Sequence, residues 1–304
     1  MSDRIRPGEP LTDEVVRIAG KQYGKAIRIL RDEPKGRYEA IHDARKRFKR
    51  LRGLYRLVRE AAPEFCAREN ARLRDTARTL SAVRDATALV EALDRLLGDC
   101  ETDECRQALT SVRDRLAGRR DAIAASQTDL DARMVAAIEA CEAGLASLCD
   151  LKLPGGGKTA VDVLARGTSK TYGRAVKALA CARETDAPAD WHELRKHVKY
   201  HWTHLQLLRP AWPGAMDARA GVADQVAEAL GDDHDLAALS ALIAAEPDLA
   251  GDAGEIDILR GMMAARSERL HAQARAMLTH LLQDDPAIIR SRVAALLRAA
   301  AAAD

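Results

Sequence analysis

The basic residues between positions 42 and 56 fall on one line. His42, Arg45, Lys49, Arg52 and Arg56 are spaced three or four apart, so on an α-helix they share one face. The line is roughly 21 Å long at about 1.5 Å per residue. Every member is a cation or becomes one on protonation. A lone phosphate needs no site of that length, whereas a chain of phosphates does. Arginine grips phosphate oxygens bidentately and lysine meets them as a point charge, so no metal or other cofactor is required. Lys46, Arg47, Arg50 and Arg59 add charge nearby, and only Asp43 and Glu60 oppose it. Such crowding has to be offset by solvent, by acidic neighbours or by an anionic ligand.

The pattern occurs twice. His42-Asp43-Ala44-Arg45-Lys46-Arg47-Phe48-Lys49 returns 150 positions later as His192-Glu193-Leu194-Arg195-Lys196-His197-Val198-Lys199. Leu80 to Asp85 maps onto Leu230 to Asp235 at the same displacement, and Tyr23-Gly24-Lys25-Ala26 onto Tyr172-Gly173-Arg174-Ala175 at one less. Three matched segments in one order indicate an internal duplication. A charged helix face is ordinarily just a solvated one, and a solvated face tolerates any mixture of charges. The same His-x-x-Arg-x-x-x-Lys order in both halves makes the stripe a candidate site. After Lys199 the second line turns to Trp202 and Gln206 before Arg209, so the first helix is expected to contribute more.

Both lines must be carried by helices. Ile41, Ala44, Phe48, Leu51, Tyr55 and Val58 alternate three and four apart, which is a core seam on a helix running from about 37 to 60. Trp191, Leu194, Val198, His201, Leu205 and Leu208 form its counterpart. Alanine, leucine, arginine and glutamate dominate and aromatics are 3%, which favours helices and leaves no sheet to expect. Breakers near Pro34-Lys35-Gly36, Pro63, Gly98, Pro188, Pro213-Gly214 and Gly231 divide each half into about four helices. The expected fold is all-α, two pseudo-symmetric four-helix bundles over 1–150 and 158–304, joined by a Pro/Gly linker at 151–157. Asp190 and Glu193 have capping-box spacing, which places His192 in the first turn of its helix. Asp232, Asp233 and Asp235, following Gly231, suit caps, and Asp85 and Asp235 suit either caps or partners for the stripe arginines.

Composition limits the function. With 48 Lys and Arg against 46 Asp and Glu the net charge is only +2, so any basic function is local. The six cysteines form no CxxC pair, which suits reduced thiols and a cytoplasmic protein. Met1 to Pro10 has no apolar run behind it, and no window of about 18 apolar residues exists, so neither a secretory signal nor a membrane span is expected. Gly157-Lys158-Thr159 copies the end of a phosphate-binding loop, but Lys152 stands where that loop needs glycine and no strand precedes it.

Three competing chemistries share these residues. His192, His197, His201 and His204 include pairs at metal-ligand spacing, although His201 falls on the core seam. His42 and His192 stand beside arginines that could stabilise a phosphoryl group, which is the enzymatic alternative. A phosphate ladder is also blind to sequence and could take nucleic acid, although Trp202 is the one stacking residue interleaved with it. The reading preferred over these is non-catalytic binding of an extended polyanion.

At the two basic helices the sequence resembles the CHAD family, the conserved-histidine α-helical domain, from about Thr12 to Leu297. His42, Arg45, Lys49 and Arg50 match its HxxRxxxRR pattern, and His192, Arg195, Lys196 and Lys199 match HxxRKxxK. Arg84-Asp85 and Leu230 to Asp235 resemble a second signature. The resemblance implies two bundles with a basic surface between them, inorganic polyphosphate as ligand, location at polyphosphate granules, and the stand-alone type of member. It adds Arg84 and His234 to the binding set, and Tyr200 and Trp202 depart from it by replacing arginines. A bound polyanion should raise the pKa of His42 and His192 and strengthen binding as pH falls from about 8 to 6.

Overall fold

Proline sets the start of four helices in this chain. Pro63, Pro188, Pro213 and Pro286 each open a helix, where a missing N–H goes unused and a fixed φ is already helical. The computed structural model describes residues 3–303. The first half holds α1 (Leu11–Asp32), α2 (Arg37–Val58), α3 (Pro63–Thr79), α4 (Ala82–Leu97), α5 (Asp103–Ser126) and α6 (Leu130–Ala146). Residues 151–157 are non-helical. The second half holds α7 (Lys158–Thr185), α8 (Pro188–Leu207), α9 (Pro213–Ala245), α10 (Ala253–Leu281) and α11 (Pro286–Ala301). Among the described residues there is no strand, as the composition implied.

Both predicted seams are buried throughout, from Ile41 to Val58 on α2 and from Trp191 to Leu208 on α8 and just beyond it. Helices α1, α2, α3 and α6 pack in a ring, each touching the next, around Tyr23, Phe48, Leu51 and Leu73. Instead of joining that ring, α4 and α5 pack on α9 and α10. Arg95 to Asp235 (2.9 Å), Arg115 to Glu255 (2.8 Å) and Arg119 to Glu246 (2.8 Å) bridge the halves there. Among the described residues the halves therefore contain six and five α-helices rather than about four.

Glycine explains part of that difference. Gly231, expected as a breaker, lies inside the unbroken α9. A Cβ there would come within 2.9 Å of the Arg195 guanidinium, so this glycine makes room for an arginine. Burial of Leu230 and Leu236 outweighs the roughly 1 kcal/mol that glycine costs a helix. Asp232, Asp233 and Asp235 are consequently mid-helix residues and cap nothing. In the first half the chain does break at the corresponding place, between α3 and α4, with Ser81 at the N-cap of α4 and Asp85 in its first turn.

Two other expectations are corrected. α8 begins at Pro188 with Ala187 as its cap, so Asp190 accepts a hydrogen bond from Thr185 Oγ1 (2.6 Å) instead of capping, and His192 lies beyond the first turn. Cys100 and Cys105, expected as thiols, are paired as a disulfide across the α4–α5 turn, with Cα atoms 5.8 Å apart.

The approach of α2 to α8 positions the site. A Cβ on Gly53 would lie 2.5 Å from Thr203 Cγ2, so the two backbones come close only because residue 53 lacks one. His204 Nε2 meets the Gly53 carbonyl at 3.1 Å; a carbonyl can only accept, so that nitrogen carries the proton.

Candidate functional site

Arg45, Lys49, Arg195 and Lys199 project from the N-terminal parts of α2 and α8, before the close approach at Gly53 and Thr203, and Arg84 joins them from the first turn of α4. Each half anchors its first arginine in the same way. Arg45 donates to the Ala77 carbonyl, and Arg195 Nε donates to the Ala227 carbonyl at 3.3 Å, both partners lying 32 residues downstream. Carbonyl contacts orient a guanidinium without neutralising it. Burial lowers the pKa of both arginines, opposed by Asp85 near Arg45 and by Asp235 and Asp232 near Arg195.

Lys49 stands at the centre of this group. It is exposed, yet enough protein surrounds it to strip part of its hydration. The charges of Arg195, Arg45, Lys199 and Arg84 add repulsion, and its pKa is brought down to about 8. The other cations have partners. Lys199 pairs with Asp224 (2.8 Å) and lies 4.2 Å from the Trp202 ring centroid, while Arg84 pairs with Glu91 (2.7 Å). Asp85 is 4.0 Å from Arg45, and Asp235 is held by Arg95 at 2.9 Å, so both expected acids are ion-pair partners and neither is a cap. Arg95, 3.5 Å from Asp232, was not foreseen because nothing in its spacing links it to the stripe.

The histidines flank these cations. His192 and His234 lie in contact, their ring centroids 3.9 Å apart and their planes tilted by 31°. Burial, then His234, Lys196 and Arg195, bring the pKa of His192 down to about 4. That of His234 is lowered by burial and by Arg195, and that of His42 by burial, Lys46 and Arg84. All three are uncharged at neutral pH in the free protein.

Other expected residues lie apart from this group. Lys46 pairs with Asp43 (3.0 Å), Lys196 with Glu193, and Arg52 donates to Asn70 (2.9 Å). Arg56 covers the Tyr200 ring at 4.0 Å and lines a separate pocket with Lys170 and Arg174. Arg50 is 3.4 Å from Asp3 and lines a cavity on α1. The histidine cluster on α8 is dispersed. His201 and His204 are fully buried, His201 with its ring centroid 5.3 Å from that of Tyr172, and His197 pairs with Glu193 (3.0 Å). Among the described residues no three His, Cys, Asp or Glu side chains are grouped so as to hold a metal ion, and no helix is long and apolar enough to cross a membrane.

Comparison with known proteins adds the following. The family model of the CHAD domain matches residues 22–244, from within α1 almost to the end of α9. The solved structure of PptA from Streptomyces chartreusis is similar to this chain with a TM-score of 0.62 at 19% identity, covering 91% of this chain and 100% of that one. At that identity the likeness concerns the fold. No curated protein matches the sequence.

Proposed function

The chain belongs to the CHAD domain family, and we propose that the group of cations where α2 and α8 meet, Arg45, Lys49, Arg84, Arg195 and Lys199, termed the groove, binds inorganic polyphosphate without turning it over. The observation that carries this reading is Lys49, whose principal charged neighbours are four cations drawn from both halves. Such a group is relieved by an anion with several charged oxygens in a row, each able to accept from a different guanidinium or ammonium. Binding without chemistry fits the state of the nearby groups. Asp235 and Asp232 are committed to arginines, Asp224 to Lys199, and His192 and His234 are held neutral chiefly by burial. We further propose that residues 1–150 and 158–304 are two copies of one unit, each supplying an arginine anchored to a carbonyl 32 residues on, and that bound polyphosphate would locate the protein at polyphosphate granules.

Calorimetric titration with polyphosphate tests the reading. Arg45→Ala with Lys49→Ala, and separately Arg195→Ala with Lys199→Ala, should each weaken binding at least about tenfold, since charge-assisted hydrogen bonds contribute about 1.5–3 kcal/mol apiece. Helical content should be unchanged. Full affinity in both well-folded variants would place the ligand elsewhere or remove it.

A further inference from the structure

A cavity of about 520 Å³ lies between α1, α2 and α8, and the groove residues Arg45, Lys49, Arg84, Arg195 and Lys199 are not among those lining it. Its walls bring together three chemistries. The first is positive charge. Lys21 and Arg50 line the cavity with Asp3 between them, 2.6 Å from Lys21 and 3.4 Å from Arg50. Lys25 stands 3.9 Å from the same carboxylate, and Arg47 lies near enough to Lys25 to repel it. Asp3 is thus shared by three cations, Lys21, Lys25 and Arg50.

The second is an unsatisfied amide. Gln22 lines the cavity and is 1% exposed, yet neither its amide nitrogen nor its oxygen has a hydrogen-bond partner. Asp3 makes at most a weak, poorly aligned side-chain hydrogen bond with the Gln22 amide, one that a competing anion on Lys21 and Arg50 would remove. An unpaired buried group of this kind costs about 1–3 kcal/mol, and native structures almost always pair it. A group that completes Gln22 must offer a donor and an acceptor side by side. The third chemistry is the Trp202 ring, with Gln206 one turn along α8. Glutamine pairs with base edges that carry an adjacent donor and acceptor, and aromatic rings stack on bases.

We propose that this cavity is a nucleotide site. Lys21 and Arg50 take the phosphate in place of the Asp3 carboxylate, Gln22 pairs with the edge of the base, and Trp202 flanks its ring. The proposal does not depend on polyphosphate binding in the groove. The site spans both halves, with Trp202 and Gln206 contributed by α8, and the pseudo-symmetric place on α7 does not repeat it. At the place displaced by 149 positions Thr171 stands for Gln22, Lys170 is paired with Glu60, and the pocket is only about 210 Å³.

The test is calorimetric titration of the full chain with AMP, GMP, CMP, UMP and ribose 5-phosphate. At least one nucleotide should bind about tenfold or more tightly than ribose 5-phosphate, the low end of what a stacked and paired base contributes. Gln22→Met, which removes the buried amide and preserves volume, should weaken that nucleotide about fivefold or more while leaving ribose 5-phosphate unchanged. Arg50→Ala, at an exposed position, should weaken both ligands. Asp3→Asn should tighten both by about two- to fivefold, the worth of a surface ion pair. Arg45→Ala with Lys49→Ala should leave nucleotide binding unchanged. The proposal is overturned if no nucleotide exceeds ribose 5-phosphate, which would leave a plain anion site. It is equally overturned if the groove variant abolishes nucleotide binding while Gln22→Met and Arg50→Ala leave it intact.

Discussion

Replacing Lys49 with arginine should remove the pH dependence of polyphosphate binding between pH 7 and 9. In the free protein Lys49 has a pKa of about 8, and an adjacent polyanion favours the ammonium form and returns it towards the ordinary value of about 10.4. About 10% of free molecules carry a neutral Lys49 at pH 7 and about 90% at pH 9, from the one-unit distances to that pKa. Binding therefore takes up about a tenth of a proton at pH 7 and nearly one at pH 9. Integrated over that interval, affinity should fall with rising pH by up to about tenfold, and by less because solvent reaches this exposed amine and screens it. The guanidinium introduced by Lys49→Arg would stay charged throughout, so the profile of that variant should be flat. The assay is calorimetric affinity at constant ionic strength, with proton uptake read from buffers of different ionisation enthalpy. A flat profile in the unaltered protein, or the same slope in Lys49→Arg, would refute the reasoning. The histidines act lower on the scale. With His192 at about 4 and His42 and His234 also lowered, their proton uptake should strengthen binding at lower pH than ordinary histidine values imply.

Three further outcomes follow from particular contacts. Arg45→Ala with Lys49→Ala should cost more affinity than Arg195→Ala with Lys199→Ala, because Lys199 is already engaged by Asp224 and Trp202 whereas Lys49 meets chiefly cations; equal losses by calorimetry would contradict this. Gly231→Ala should displace the Arg195 guanidinium, 2.9 Å from the added Cβ, and weaken polyphosphate binding several-fold while leaving helical content unchanged. His201 and His204 are buried with pKa values brought down to about 3, chiefly by burial. The unfolded chain binds more protons below pH 6.5, so stability should fall on acidification from there, by up to about 1.4 kcal/mol per pH unit for each histidine. Denaturant titrations from pH 7 to 5 measure this, and His201→Gln should reduce the slope.

The seams of α2 and α8 were legible because their three-and-four alternation is a local signal, and every member is buried as that signal required. The count of helices was not. Whether Gly231 breaks a helix depends on Arg195, 36 residues away, filling the space above it. The groove was half legible: residue type and repeat pointed to Arg45, Lys49, Arg195 and Lys199, but periodicity could not divide the stripe. Arg56 follows α2 past Gly53 to stack on Tyr200, and Arg50 turns towards Asp3. Those outcomes come from the approach of α2 to α8, which rests on Gly53 facing Thr203, a contact between residues 150 positions apart. The pairing of Cys100 with Cys105 was missed because a five-residue separation matches no metal or redox spacing.

The most direct test of the groove is the salt dependence of polyphosphate affinity. If Arg45, Lys49, Arg84, Arg195 and Lys199 all meet phosphate, log affinity should fall linearly with log salt concentration with a slope of about 3.5–4.5, since each neutralised phosphate contributes about 0.7–0.9. Arg45→Ala with Lys49→Ala should lower that slope by about 1.5, and double-stranded DNA at matched salt should compete poorly. A flat dependence, or a slope the double substitution leaves unchanged, would contradict binding through these cations.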